Sequence, residues 1–167
     1  MNDVTALEET VETRLPNGLT CALPASSPLA KLLRSQRTWE GPGAKERLAI
    51  LRAAKSIAIV GASANPARSS YFVGTYLLQS GAYRVYFVNP NATEILGQPA
   101  YPDLASLPEV PDIVDVFRRA DDIPSVIDDA IAIGAPTVWV QLGIWNEDAA
   151  RYGESKGLTV VMDRCIK

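Results

Sequence analysis

The segment SIAIVGASANPARSS, residues 56–70, contains the transition that decides the fold. Its first five residues form a short apolar run rich in β-branched side chains, which is typical of a buried strand. Gly61 interrupts the run, and a loop of small residues leads through Arg68 into a helical pattern. A turn between a strand and a helix N-terminus can hold an anion, because backbone N–H groups and the helix dipole favour negative charge there. The segment therefore predicts a nucleotide-like ligand.

Strand and helix patterns alternate on the C-terminal side of this segment. Four further apolar runs predict strands, at residues 83–88, 112–117, 137–141 and 158–162. Helical spacing predicts helices between them, at residues 70–79 and 121–134 and after Asn146. In the first of these helices, Val73, Tyr76 and Leu77 are expected to face inward. Such alternation indicates a parallel sheet with helices on both faces, so we expect a Rossmann-like, doubly wound α/β fold of five strands in the order 3-2-1-4-5.

This strand order predicts where a ligand binds. The connections reverse direction between the first and fourth strands, and doubly wound sheets bind ligands in the crevice at that point. The loop after Gly61 and the loop after Val140 are therefore expected to flank the crevice. Residues 95–101, which follow the second strand, are predicted to form only a small irregular excursion.

The chain of 167 residues is long enough for one domain with a substantial core. We expect that domain at residues 44–167, beginning with a helix at residues 44–54. Residues 1–43 are predicted to be an N-terminal extension that is partly flexible, because residues 1–26 mix acids, Thr, Pro and Gly without periodicity. A short basic helix is predicted within it, at residues 28–37.

The composition excludes several classes of function. A net charge of -3 gives no basic surface for nucleic acid, and no apolar run approaches the roughly 20 residues of a membrane span. Cys21 and Cys165 lie far apart, which favours a reducing, cytoplasmic setting over a disulfide framework. The absence of histidine removes Ser-His-Asp and Cys-His nucleophilic sites and His-based metal sites, and the two cysteines supply too few ligands for a zinc site. Any catalysis would need carboxylates, lysine, Cys165 or a cofactor.

Several side chains in the first loop suit a bound diphosphate. Gly61 and Ala62 leave room for its oxygens, Arg68 carries a guanidinium, and Ser63, Ser69 and Ser70 supply hydroxyl and amide donors. The alternative is a connection that binds nothing, since the spacing is not GxGxxG.

The end of the second strand argues against NAD. A dinucleotide site carries an acidic residue there for the ribose, whereas this sequence has Val88-Asn89-Pro90. Asn89 and Asn91 also supply no cation for the additional phosphate of NADP. The sequence therefore favours a nucleotide that is neither of the two.

Three other strand ends carry candidate residues. Phe117 and Arg118 follow the third strand and either meet an adenine and a phosphate or are a core ring and a solvated cation. Gln141 closes the apolar fourth strand just before Gly143, and it either caps backbone groups or donates to a ligand amide. Cys165 follows the fifth strand, either as a reactive thiol or as an inert small hydrophobe.

Five segments together resemble the small CoA-binding proteins of bacteria and archaea, which are similar to the CoA-binding domain of the succinyl-CoA synthetase α-subunit. The segments, in order from about residue 44 to the C-terminus, are SIAIVGASANPAR, VYFVNPNATEILGQPAYPDL, PDIVDVFRRADDIP, VWVQLGIWNEDAA and GLTVVMDRCIK. The resemblance implies coenzyme A bound by its nucleotide end. It implies a diphosphate at Gly61, Ala62, Ser63 and Arg68, adenosine contacts from Asn89, Pro90, Phe117 and Arg118, and pantetheine contacts from Gln141 and Gly143. Asn91 departs from the family, which often has Lys after the Asn-Pro pair.

From this resemblance we expect a cytoplasmic protein that binds coenzyme A or an acyl-CoA as a carrier, sequestering or sensing protein without independent catalysis. One alternative is the CoA-binding subunit of a multi-chain acyl-CoA ligase or transferase, although the chain lacks the phosphorylatable histidine of succinyl-CoA synthetase. Another alternative is an NAD(P)-binding redox protein. A homodimer and an unknown partner subunit both stay open. A subsidiary hypothesis is that Cys165 exchanges with the thiol of CoA as a mixed disulfide.

Overall fold

The computed structural model describes residues 10–14, 20–24, 27–28 and 37–167. The chain divides into two compact units, Met1–Glu40 and Gly41–Lys167. In the first unit, strands β1 (Thr10–Arg14) and β2 (Thr20–Pro24) pair antiparallel. No regular structure was expected in this unit, so the antiparallel pair is a correction; Thr10, Val11 and Thr13 in β1 and Thr20 in β2 are β-branched residues that favour strands. The helix predicted at residues 28–37 falls almost wholly outside the described residues.

The second unit alternates strands and helices, as the sequence predicts. Its elements, in chain order, are α1 (Ala44–Ala53), β3 (Ser56–Val60), α2 (Ser69–Ser80), β4 (Arg84–Val88), β5 (Glu94–Ile95), β6 (Gln98–Tyr101), β7 (Ile113–Val116), α3 (Ile123–Ile133), β8 (Thr137–Val140), α4 (Glu147–Ser155) and β9 (Thr159–Val161). Short 3₁₀ turns at Leu104–Ser106 and Ala120–Asp122 precede β7 and α3. Gly81 and Gly134 end α2 and α3 in the left-handed conformation, and the Asn146 side chain caps α4.

The strands of this unit form one seven-stranded sheet in the order β5-β6-β4-β3-β7-β8-β9. All neighbouring pairs are parallel except β5 with β6, so six strands form a doubly wound parallel sheet and the α/β class is confirmed. The predicted strand count was wrong because residues 98–101 form the third parallel strand. Counted from β3, the six parallel strands lie in the order 3-2-1-4-5-6.

This correction moves the ligand crevice. Strand β3 pairs with β4 on one side and with β7 on the other. The predicted order instead placed β8, the fourth predicted strand, next to β3. The point where the connections reverse therefore lies between β3 and β7. The loops that flank it follow Val60 and Val116, so the prediction that the loop after Val140 flanks the crevice was wrong.

Buried apolar side chains cover both faces of the sheet. On one face α2 lies against β4, and a Cβ added to Gly74 would come within 2.7 Å of the Phe87 ring. Val73 and Leu77 are buried there as predicted, but Tyr76 is exposed, so its predicted inward position was wrong. On the other face, Gly153 of α4 approaches Val160 of β9. Within the described residues, no helix is long and apolar enough to cross a membrane.

Hydrogen bonds at the amino edge of the sheet fix the central pair of strands. The Asp112 carboxylate accepts from the backbone N–H groups of Lys55 and Ser56 at 2.7 and 3.1 Å, and the Ser56 hydroxyl accepts from the Asp112 N–H at 3.1 Å. These bonds join the starts of β3 and β7, so the register of the two strands is set before they reach the crevice.

Candidate functional site

The carboxyl ends of three strands converge on Gly61. Its N–H donates to the carbonyl of Val88 at 3.1 Å, and the Phe117 N–H donates to the carbonyl of Val60 at 2.8 Å. Gly61 has φ +82°, and a Cβ at this position would collide with the carbonyl oxygen of Phe117. Only glycine fits here, because the conformation and the closeness of the β7 backbone both exclude a side chain.

Hydrogen bonds within the loop after Gly61 hold its shape, and the loop leads into a helix N-terminus. The Ser63 hydroxyl accepts from the N–H of Asn65 at 3.1 Å, and the Asn65 side chain accepts from the N–H of Ala67 at 2.9 Å. No side chain caps α2 at Arg68. In the described structure the N–H groups of Ser69 and Ser70 therefore have no partner, which is the arrangement that accepts an anion.

Asn89 ties this loop to the neighbouring strands. Its Nδ2 donates to the carbonyl of Ala62 at 2.7 Å, its backbone N–H donates to the carbonyl of Tyr101 at 2.8 Å, and its Oδ1 accepts from the N–H of Asn91 at 2.8 Å. Pro90 follows on the surface. The Asn89 side chain thus holds the loop in place, and its hydrogen bonds are to the backbone of the protein.

Three arginines follow the two strands that flank the crevice, and they differ in what they contact. Arg119 forms an ion pair with Asp122 at 3.4 Å. Arg68 is exposed and Arg118 is partly buried, and neither has an ion pair in the part of the chain that the structure describes. The Cδ atom of Arg118 would lie 3.4 Å from a Cβ on Gly61. Two cations are therefore available for the phosphates of a ligand, and the third is neutralised.

A buried pair of polar side chains lies next to the crevice, on β7 and at the end of β8. The Gln141 Nε2 donates to Asp115 Oδ1 at 2.6 Å. Asp115 is fully buried, and its second oxygen, Oδ2, has no hydrogen-bond partner in the described structure. Burial raises the pKa of the Asp115 carboxyl to about 8, and the hydrogen bond from Gln141 opposes that rise only in part. Asp115 therefore carries a proton at neutral pH.

The loop after Gln141 is held from the C-terminal tail. The Gly143 N–H donates to Asp163 Oδ1 at 2.7 Å, and Asp163 is a buried residue in the left-handed conformation, with φ 54°. Farther along the tail, the Trp139 indole donates to the carbonyl of Arg164 at 2.9 Å. Cys165 is a free, exposed thiol, and the choice between a reactive thiol and an inert one stays a prediction.

The structure brings most of the predicted residues to one edge of the sheet. Gly61, Ala62, Ser63, Arg68, Ser69, Asn89, Pro90, Phe117 and Arg118 follow β3, β4 and β7 around the crevice. Gln141 and Gly143 follow β8, one strand away, and Cys165 follows β9, two strands away. No cluster of three His, Cys, Asp or Glu side chains in the described ranges could hold a metal ion.

Sequence reasoning missed two residues that shape this edge. Asp115 is the one carboxylate inside an apolar strand, IVDV, and a charged group at the centre of a buried strand signals either a partner or a raised pKa. Asp163 gave no comparable signal, because an Asp after a strand is ordinary in a turn.

The chain matches a known protein family over most of its length. The family described as "CoA binding domain" matches residues 55–167. The uncharacterized protein YneT of Bacillus subtilis is 39% identical over 128 residues, which cover 77% of this chain and 94% of YneT.

Solved structures are similar in fold as well. A hypothetical protein from Pyrococcus horikoshii is 36% identical with a TM-score of 0.72, over 78% of this chain and 91% of that one. A dinucleotide-forming acetyl-coenzyme A synthetase from Ca. Korarchaeum cryptofilum is 28% identical with a TM-score of 0.56, over 64% of this chain and 25% of the synthetase. The similarity to the synthetase is therefore confined to one part of a much larger protein.

Proposed function

The chain belongs to the CoA binding domain family, and from that premise we propose that it binds coenzyme A or an acyl-CoA by the nucleotide end, in the crevice between β3 and β7. The observation that carries the proposal is the convergence at Gly61. The Gly61 backbone lies against the backbone of Phe117 and close to the Arg118 side chain, and the loop that begins at Gly61 leads to Arg68 and to a helix N-terminus that no side chain caps. Such a point suits a diphosphate, which carries charge in a compact group with many acceptor oxygens.

The diphosphate is assigned to the loop of residues 61–68. The N–H groups of Ser69 and Ser70 donate to its oxygens, and Arg68 and Arg118 approach it from the two sides of the crevice. Gly61 and Ala62 let the phosphates come close to the backbone because neither carries a bulky side chain. Asn89 keeps the loop in this conformation through its bond to the carbonyl of Ala62.

The adenosine is assigned to the β7 side of the crevice, where Phe117 is partly buried and able to stack on a base. The pantetheine arm then runs along the carboxyl edge toward Gln141 and Gly143. Nothing in this arrangement supplies a nucleophile with an adjacent base, so we assign the protein a carrier, sequestering or sensing role with no independent catalysis.

Calorimetric titration with CoA and with dephospho-CoA tests this function. We expect saturable binding of CoA, and binding of dephospho-CoA within about tenfold of it, because the main contacts are to the shared diphosphate. Heat of binding from neither ligand at millimolar concentration would contradict the proposal. A native mass spectrum of the protein as purified would add the identity of any retained acyl-CoA and the oligomeric state.

A second candidate function is that of a CoA-binding subunit within a larger enzyme. The similarity to a quarter of an acetyl-coenzyme A synthetase favours it, because a domain like this one is part of a longer catalytic chain there. Affinity purification of the tagged protein from its native cells separates the two functions. Stoichiometric recovery of a nucleotide-binding partner, with acyl-CoA synthesis by the complex, would support the enzyme subunit; the isolated chain with bound CoA would support the carrier.

The exposed thiol of Cys165 extends the proposal to disulfide exchange with CoA. A thiolate of Cys165 would attack one sulfur of CoA disulfide, form a mixed disulfide with one CoA and release the other CoA as a thiolate. Neighbouring strands are about 4.8 Å apart, so β9 lies roughly 10 Å from β7, a distance that the extended arm must bridge. After incubation with CoA disulfide, intact mass under non-reducing conditions should show one CoA adduct, which Cys165→Ser lacks; no adduct on the wild type would end this idea.

A further inference from the structure

The Asp115–Gln141 pair is an unusual feature of the sheet. Asp115 lies at the centre of the sheet, between Ile59 of β3 and Trp139 of β8 in the strand register. A carboxyl group buried between apolar side chains is costly unless it has a partner. Its partner is one carboxamide, which leaves Asp115 Oδ2 without a hydrogen bond in the described structure. A pair retained at this cost calls for a role beyond packing.

The pair fixes how Gln141 is oriented. A glutamine carboxamide has a donor end and an acceptor end, and either end can point outward. Here the Nε2 end points toward Asp115 at 2.6 Å. The backbone of Gln141 is held as well, since its N–H donates to the carbonyl of Val116 and its carbonyl accepts from the N–H of Ile144. The carboxamide is thus anchored at its nitrogen.

The acceptor end of Gln141 remains available. Gln141 is 4% exposed, and its Oε1 accepts no hydrogen bond in the described part of the chain. Among the described residues, Asp115 Oδ2 is the one fully buried side-chain oxygen or nitrogen without a hydrogen-bond partner. Gln141 Oε1, which also has no partner, is therefore not fully buried. The small exposed surface of Gln141 therefore includes its carbonyl oxygen, at the edge of the sheet where the crevice lies.

We propose that Asp115 is a positioning residue that turns the Gln141 side-chain carbonyl toward the ligand. Gln141 Oε1 then accepts a hydrogen bond from an amide N–H of the pantetheine arm. The inference rests on the proposed function and adds the polarity of one contact. It reverses the sequence-based expectation, in which Gln141 donates to a ligand amide. The contact selects ligands that present an N–H at this point, and a nucleotide without the arm gains nothing from it.

The test compares two ligands on the wild type and on four variants. CoA and 3′-phosphoadenosine 5′-diphosphate share the nucleotide end, and only CoA has the pantetheine arm. The variants are Asp115→Leu, which removes the acceptor for Nε2, Asp115→Asn, which keeps a carbonyl acceptor, and Gln141→Met, which removes the carboxamide. Ile113→Val is the control on the same strand, a buried residue two positions away whose substitution removes one methylene and no polar group.

We expect Asp115→Leu and Gln141→Met each to weaken CoA binding about tenfold while binding of the arm-less nucleotide changes less than twofold, the loss of one hydrogen bond. Asp115→Asn should stay within about threefold of the wild type for both ligands, and so should Ile113→Val. If Asp115→Leu does not fold, Gln141→Met carries the comparison of the two ligands, with Asp115→Asn and Ile113→Val as its controls.

Two outcomes would overturn the inference, and they are distinguishable from failure of the proposed function. Equal loss of both ligands in Asp115→Leu or Gln141→Met would mean that the pair acts on the fold alone. Unchanged CoA binding in Gln141→Met would mean that no ligand group meets its carbonyl. Failure of the wild type to bind either ligand would overturn the proposed function, and this inference with it.

Discussion

Two loops at the same edge of the sheet use their polar groups in opposite ways. The loop after β3, residues 61–68, is largely exposed. In the described structure the Arg68 guanidinium has no ion pair, and the N–H groups of Ser69 and Ser70 have no hydrogen-bond partner. The segment that follows β8 begins with the buried Gln141, whose carboxamide bonds to Asp115. The first loop thus offers charge and backbone donors to a ligand, and the second presents one oriented group.

The two loops suit ligand groups of different charge. A phosphate carries full negative charge. Arginine side chains and the N–H groups of a helix N-terminus bind it well, because these N–H groups have no hydrogen-bond partner within the helix. A neutral amide brings only a dipole, so discrimination depends on a carboxamide held in one orientation by a buried neighbour. Variants of residues in each loop test whether the two loops differ in this way.

The largest effect is expected at Gly61. Gly61→Ala would force the two loops of the crevice apart, because its Cβ meets the Phe117 carbonyl and its φ of +82° is unfavourable. We expect CoA affinity to fall by at least about a hundredfold in calorimetric titration. Gly81→Ala is the matched control, since Gly81 has φ +62° but open space around it, and it should cost only about 1 kcal/mol of stability with CoA affinity unchanged. Equal CoA affinity in the two variants would contradict the packing argument.

The second effect concerns the dependence of stability on pH. The pKa of Asp115 rises from its ordinary 3.8 to about 8 on folding, so as pH increases from about 4 to 8 the unfolded chain loses this proton first and the folded state is progressively disfavoured. The protonated Asp115 carboxyl contributes its whole share of the free energy of unfolding below about pH 4, and this share is lost above about pH 8. Between these values the free energy of unfolding falls by up to about 1.4 kcal/mol per pH unit.

Asp115→Asn cannot ionise, so its free energy of unfolding relative to the wild type should increase with pH across this window and level off above it. Urea denaturation of both proteins between pH 5 and about pH 9 measures the difference. Parallel curves would show that Asp115 is ionised in the folded protein and would remove the basis for a neutral carboxyl beside Gln141.

The third effect is expected at the arginines. Arg68→Ala should weaken CoA binding about tenfold, the typical loss of a charge-assisted hydrogen bond, and should reduce the dependence of affinity on salt. Arg119→Ala is the control, because Arg119 already pairs with Asp122, and it should change the affinity less than twofold. Equal losses in the two variants would mean that the arginines act through the overall charge of the crevice.

The sequence predicted the β3 loop correctly because its signals are local. A buried apolar strand, a glycine and a helix start lie within fifteen consecutive residues. Each can be recognised from these residues alone, without knowledge of the tertiary contacts. The helix ends at Gly81 and Gly134 and the cap at Asn146 were predictable for the same reason.

The position of the crevice was not predictable, because it depends on β6. The sequence of this strand is QPAY, with a proline and no run of β-branched residues, and it pairs with β4 only at Ala100 and Tyr101. Its strand conformation comes from that tertiary partner. Missing it shifted the numbering of every later strand by one, and so moved the expected crevice from β7 to β8.

A crystal structure of the protein with CoA would show whether the diphosphate binds to the loop of residues 61–68. We predict the diphosphate within hydrogen-bond distance of the Ser69 and Ser70 N–H groups, with Arg68 or Arg118 on its oxygens and the pantetheine arm passing Gln141 Oε1. A diphosphate bound away from residues 61–70, with this loop unoccupied at saturating CoA, would contradict the account.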